Sequence, residues 1–140
     1  MIDQLTVFLE NSEGRLASAA RTIADAGINM RALFVADTED FGVARIFCDT
    51  PHAAAEALKA AGYRASVTQV LGVHVPNERG GLATLLEFLN DNGVNIEYGY
   101  CFVDGDTAID VLKVSEEGVE GKLREAGFDL VDPEDVYVAD

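Results

Sequence analysis

The sequence predicts an α+β fold of two tandem ferredoxin-like βαββαβ modules. Each is an antiparallel four-stranded sheet with two helices on one face. Three observations carry this: an internal repeat, an apolar helix face at matching positions of each copy, and glycines that close each helical stretch. Residues 5–30 align with residues 71–96 at an offset of 66, with nine identities in 26 pairs. These include Asn11/Asn77, Gly14/Gly80, Leu16/Leu82, Gly27/Gly93 and Asn29/Asn95. Farther on, Leu58/Leu123 and Ala61-Gly62/Ala126-Gly127 match at an offset of 65. A repeat this long is a whole small domain and not a solenoid unit.

The elements follow in order. Leu5 to Leu9 is a short apolar run suited to a buried strand. Asn11 and Ser12 offer capping oxygens before a helix of about 13 residues. Leu82, Leu85, Leu86 and Leu89 recur at i, i+3, i+4 and i+7, one helix face. Leu16, Ala19, Ala20 and Ile23 take the same places in the first copy. Gly27 and Gly93 suit the left-handed residue that closes a helix. A strand follows at residues 29–36 or 95–103, then turns at Asp37-Thr38-Glu39-Asp40 and Asp104-Gly105-Asp106, then returning strands at 41–49 and 107–114. Thr50-Pro51 and Ser115-Glu116-Glu117 read as starts of the second helices, which Gly62 and Gly127 end. Final strands are expected at residues 64–69 and near 136–138. The domains are accordingly 1–69 and 70–140. The junction 65–75 has no flexible linker composition, so the two modules are expected to hold a fixed relative position.

Composition bounds the function. With 49% hydrophobic residues, wholesale disorder is excluded and a packed core is expected. The 25 acidic against 10 basic residues give a net charge of −15, which disfavours nucleic acid and anionic membranes as partners. A Lys-poor acidic surface also fits a halophilic protein, whose charge repulsion needs salt. No apolar run reaches the length of a membrane span, and Met1-Ile2-Asp3-Gln4 lacks the basic start of a signal peptide, so a cytoplasmic location is expected. Cys48 and Cys101 lack metal or redox spacing and are read as buried small hydrophobes.

No catalytic constellation emerges. His52 and His74 have no accompanying acid or nucleophile motif. Phosphate-loop, metalloprotease and serine-hydrolase motifs are missing. Asp104 and Asp106 are too few ligands for calcium, so no metal and no cofactor is expected. The remaining feature is the first β-to-α loop of each copy. Its glycine permits close backbone approach, and a helix N-terminus suits a carboxylate. Asn11 and Asn77 can donate and accept hydrogen bonds. Asn29 and Asn95 are expected at the same end of the sheet as those loops. Such chemistry fits a free amino acid; equally, both asparagines could merely cap and turn.

The loop and strand segments Asn11-Ser12-Glu13-Gly14-Arg15-Leu16 with Gly27-Ile28-Asn29-Met30 resemble the signature of the ACT domain. So do Asn77-Glu78-Arg79-Gly80-Gly81-Leu82 with Gly93-Val94-Asn95-Ile96. The resemblance covers nearly the whole chain, and the chain is similar to stand-alone tandem ACT proteins. It implies a non-catalytic regulatory module that binds an amino acid or related metabolite at an interface between ACT units. Loop residues of one unit and strand residues of another would contribute. Candidate ligand-binding residues are Asn11, Ser12, Gly14, Arg15, Leu16, Asn29 and Met30, with Asn77, Glu78, Gly80, Gly81, Leu82, Asn95 and Ile96 in the second copy. The implied partners are that ligand, a second copy of the chain in a homodimer, and a metabolic enzyme. One alternative is a separate regulatory subunit of an amino-acid biosynthetic enzyme; another is a small stand-alone enzyme on this scaffold. Many ACT domains have Pro before the loop glycine, where Glu13 and Arg79 stand here. Arg31 aligns with Glu97 and Arg15 with Gly81, so the two sites are expected to differ, with at most one type of pocket binding well.

Overall fold

The computed structural model describes residues 1–37 and 40–140. In chain order the elements are β1 (Ile2–Glu10), α1 (Arg15–Asp25), β2 (Met30–Asp37), β3 (Phe41–Cys48), α2 (Pro51–Ala60) and β4 (Arg64–Pro76). Then come α3 (Gly81–Asp91), β5 (Ile96–Asp104), β6 (Thr107–Val114), α4 (Val119–Glu125) and β7 (Asp129–Leu130), followed by a 3-10 turn at Pro133–Asp135. The two βαββαβ modules are therefore present, and the strand pairings within them are antiparallel.

The chain forms two compact units. The amino-terminal unit holds residues 3–68 with 133–140; the carboxy-terminal unit holds residues 69–132 with 1–2. The expected last strand of one copy and first strand of the next are a single 13-residue strand, β4. In the amino-terminal unit the sheet order is β2-β3-β1-β4. In the carboxy-terminal unit β6 lies between β4 and β5, and β7 pairs with β4.

The register reproduces the repeat. Val7 pairs with Ala44, and Val73 with Asp110, so the offset of 66 holds across the strands. A bulge follows Met30 in one copy and Ile96 in the other. Each helix pair covers one apolar sheet face. Leu5, Val7 and Leu9 meet Ile23, Leu58 and Ile46 in one core. Leu71, Val73 and Val75 meet Leu85, Leu89 and Leu123 in the other. Alternate residues of each strand point to one face, which is why the apolar positions separate this way.

Several local expectations change. Neither α1 nor α3 is capped by a side chain: Gly14 and Gly80 precede them in a left-handed conformation, φ 84° in both. Asn11 lies four residues before Arg15, too far upstream for the short bond a capping oxygen makes to the first turn. Ser115 likewise lies outside α4, which follows Gly118. Thr50 does precede α2, but its backbone is left-handed (φ 45°) and its side chain makes no capping bond. The Asp140 carboxylate caps instead, accepting from the N–H groups of His52 and Ala53 at 3.1 and 2.8 Å.

The strand expected near 136–138 does not form. Asp129–Leu130 supplies the closing strand seven residues earlier, and Pro133 starts a 3-10 turn. Residues 136–138 instead pack on the amino-terminal unit. Tyr137 stacks on Phe47 with ring centroids 6.1 Å apart and accepts the Asp3 N–H on its hydroxyl. The Thr50 N–H donates to the Val138 carbonyl, and the Val138 N–H donates to Asp49. The hairpin expected at 37–40 falls partly outside the described residues. Its counterpart at Asp104-Gly105-Asp106 forms, with Gly105 at φ 64° and Asp104 opposite Thr107.

Candidate functional site

The site builds from β5. Gly93 (φ 71°) ends α3 and turns the chain into that strand. Beyond the bulge after Ile96, Gly99 lies opposite Leu112 and Cys101 opposite Asp110. A methyl group on Gly99 would sit 2.7 Å from Leu112 Cδ2 and 3.2 Å from the Val111 carbonyl oxygen. Glycine therefore keeps the space open. Between β5 and the first half of α3 lies a groove of about 290 Å³, lined mainly by Leu82, Leu86, Ile96, Tyr100, Leu112 and Asp110. Its lining is mostly apolar, with the polar groups carried by Asp110, Cys101 and Tyr100.

Asp110 is 2% exposed. Its Oδ2 atom is buried and, among the described residues, has no hydrogen-bond partner. Burial pushes its pKa above the usual carboxylate value, and the hydrogen bond from Cys101 offsets part of that rise. A buried charged acceptor without a partner is costly, and native structures retain few of them. This makes Asp110 the electrostatic centre of the groove.

The repeat provides an internal comparison. In the first copy Val35 faces Ala44 where Cys101 faces Asp110. Leu33 stands where Gly99 leaves room, and it is 46% exposed. The carboxylate and the glycine gap are therefore features of the carboxy-terminal unit. Cys101 corrects one expectation: it is exposed, because among the described residues β5 pairs with β6 alone and the groove opens beside it. Cys48 is buried as expected, and burial pushes its thiol pKa up to about 12.

The loop and strand residues picked from the sequence do not converge. β1 and β2 both run antiparallel to β3, hence parallel to each other. Asn11 follows the end of β1, while Asn29 precedes the start of β2. Seven steps of β3, roughly 23 Å, separate those ends. The expectation that they share one end of the sheet is corrected: α1 carries the chain back along the strands. The backbone confirms it, since Asn11 N–H reaches the Asp40 carbonyl and Asp49 N–H reaches that of Asn29. The second copy repeats the pattern, with Asn77 N–H on the Asp106 carbonyl and Asn95 N–H on Glu116.

Of the candidate residues, Leu82 and Ile96 line the groove. Glu78, Gly80 and Gly81 line a larger, more open cavity of about 570 Å³ with His74, Thr107 and Asp129. Arg15 belongs to a cavity of the amino-terminal unit. Asn11, Ser12, Gly14, Leu16, Asn29, Met30, Asn77 and Asn95 line none of these three. Asp110, Gly99 and Cys101 were missed by sequence reasoning. A signal existed: Asp110 interrupts the apolar run Ala108-Ile109-Asp110-Val111-Leu112, where the first copy has alanine.

The family model of the ACT domain pair matches residues 1–133. The chain belongs to the ACT domain pair family. Protein BT0572 from Bacteroides thetaiotaomicron is similar in structure, with a TM-score of 0.88 and 37% identity over 93% of this chain and 91% of that one. The ligand-free regulatory subunit of aspartate kinase from Thermus thermophilus gives a TM-score of 0.66 at 18% identity, covering 89% of each chain. The corresponding Thermus flavus subunit gives 0.60 at 18% identity, covering 89% of this chain and 90% of that one. These last two show a shared fold. No curated protein matches the chain. Among the described residues no helix is long and apolar enough to cross a membrane.

Proposed function

We propose that this ACT pair is a non-catalytic regulatory protein that binds a small apolar amino acid in the groove of its carboxy-terminal unit. The observation that carries this is the buried Asp110 carboxylate, whose Oδ2 has no hydrogen-bond partner among the described residues, in a largely apolar wall. An ammonium group supplies the missing donor and the opposite charge. Leu82, Leu86, Ile96 and Leu112 supply contact for an aliphatic side chain. The first turn of α3 has N–H groups without intrahelical partners and a positive dipole end, which suit the ligand carboxylate. A volume of about 290 Å³ matches the small end of ligand pockets.

The groove is open beside Cys101, and Leu82 at its mouth is 44% exposed. A second ACT unit closing that side completes the site. In this reading the chain is a homodimer joined through exposed edge strands, since among the described residues β2 and β5 each pair with one neighbour and carry exposed Leu33, Val35 and Val103. The regulated partner is a metabolic enzyme on a separate chain, and its location is the cytoplasm.

Calorimetric titration with the free amino acids tests the reading. Saturable binding of an aliphatic member is expected, and its loss in Asp110→Asn. Charge-assisted hydrogen bonds contribute about 1.5–3 kcal/mol, so affinity should fall at least about tenfold. No response to any of the twenty, or undiminished binding by Asp110→Asn, overturns it.

A further inference from the structure

We propose that the amino-terminal unit carries a second ligand site, in which Arg15 and Arg64 receive an organic carboxylate whose apolar part packs on Phe8, Phe41 and Tyr63. These five residues, with Glu10 at the exposed rim, surround a cavity of about 430 Å³. The site lies in a different unit from the Asp110 groove and stands independently of the reading given there.

Charge makes the first argument. The chain has 25 acidic residues for 10 basic ones, so carboxylate partners are abundant. Arg21, Arg31 and Arg124 all take one. Arg15 and Arg64 form no ion pair among the described residues, yet both face the same cavity. The Arg15 Nε atom is buried there and has no hydrogen-bond partner among those residues. A donor buried without a partner is a costly arrangement unless something outside the chain supplies the acceptor.

Geometry makes the second. The Arg15 guanidinium lies 4.4 Å from the centroid of the Tyr63 ring, and that of Arg64 lies 5.4 Å from the Phe8 ring centroid. These cation–π contacts hold each guanidinium without using up its N–H donors, which suit recognition of a carboxylate. Tyr63 is itself fixed by a 2.6 Å hydrogen bond from its hydroxyl to Ser18. The aromatic walls favour a ligand with an apolar body, and Glu10 disfavours a phosphate dianion.

The repeat makes the third. The equivalent cavity of the carboxy-terminal unit has Gly81 at the place of Arg15, Asp129 at that of Arg64, His74 at that of Phe8 and Thr107 at that of Phe41. A side chain at Gly81 would collide with the Pro76 carbonyl oxygen. Neither guanidinium therefore has a counterpart, and the one arginine lining that cavity, Arg79, shares it with Glu78 and Asp129. The paired cations are a property of one copy.

The test is an NMR titration of the full chain in low-chloride buffer, with benzoate as probe, benzyl alcohol as its uncharged analogue, and inorganic phosphate. Benzoate is expected to give saturable shifts at the amides of residues 8–10, 15–18 and 62–64. Arg64→Gln and Arg15→Gln should each weaken binding at least about fivefold, the loss of one charge-assisted contact. Arg64 is exposed, so Arg64→Gln keeps the fold and carries the test even where Arg15→Gln disturbs it. Absence of saturation, equal binding of benzyl alcohol, or full binding by Arg64→Gln overturns the site. Phosphate binding as tightly as benzoate overturns the assignment to an organic carboxylate.

Discussion

Replacing Asp110 by asparagine keeps the side-chain shape and removes the charge. Asp110 is 2% exposed with one oxygen unpartnered, so its ionised form opposes folding at neutral pH. Leaving a buried polar group unsatisfied costs about 1–3 kcal/mol, more when it is charged. The amide also needs partners, which places the expected gain of Asp110→Asn near the bottom of that range, about 1 kcal/mol at pH 7.5. For a chain of this size that is roughly 3–4 °C in Tm. The pH dependence fixes the sign. The folded-state pKa lies above the ordinary value of 3.8 because burial disfavours the charge. The stability tied to the protonated acid is thus fully present below 3.8 and is lost as pH rises through the folded value. The gain of Asp110→Asn should therefore be large at pH 7.5 and shrink toward acid pH. Urea denaturation of both proteins across pH measures it. An asparagine variant less stable than the wild type at pH 7.5, or a difference that does not change with pH, would refute the reasoning.

Three other outcomes are expected. Thiol labelling should spare Cys48 until unfolding, because Cys48 is buried and its thiol is held near pKa 12; labelling of Cys48 in the native protein contradicts the packing. An amino acid bound in the groove should slow the labelling of Cys101. Asp140→Ala should lower stability by about 1 kcal/mol, the usual worth of a lost helix cap, because the N–H groups of His52 and Ala53 lose their acceptor; an unchanged urea midpoint would show that the cap contributes nothing. A net charge of −15 should make the melting temperature rise from low salt to molar KCl, and equal melting in both would remove the halophilic reading.

Much of the fold was legible because its signals are local. The left-handed glycines at 27, 62, 93 and 127 ended the helices as their positions required. The spacing of Leu85 and Leu89 put both in the core. The misreadings share a cause. Asn11 and Ser12 have capping chemistry and lie close to the helix in sequence, yet a glycine with positive φ stands nearer its first turn. The run at 136–138 had strand composition, but Tyr137 found its partner in Phe47, ninety positions earlier. Loop and strand asparagines were grouped by chemistry, although a helix of 11 residues separates them in space.

The duplication and the order of elements in each copy follow from the sequence alone, because periodicity and backbone preference act over a few residues; which apolar residues reach the core does not, since Leu16 and Leu82 share their helix faces with buried residues and are 39% and 44% exposed. The sequence also showed that the copies differ. Where that difference matters was decided by tertiary structure. Asp110 carries no motif; it became significant when β5 placed Cys101 and Gly99 beside it and burial removed water from its carboxylate. Arg15 and Arg64, distant in sequence, came to face one cavity only when β4 began next to the end of β1. The physical reason is the same in both cases. Desolvation and missing partners are properties of a place in the fold, and they depend on residues far away along the chain.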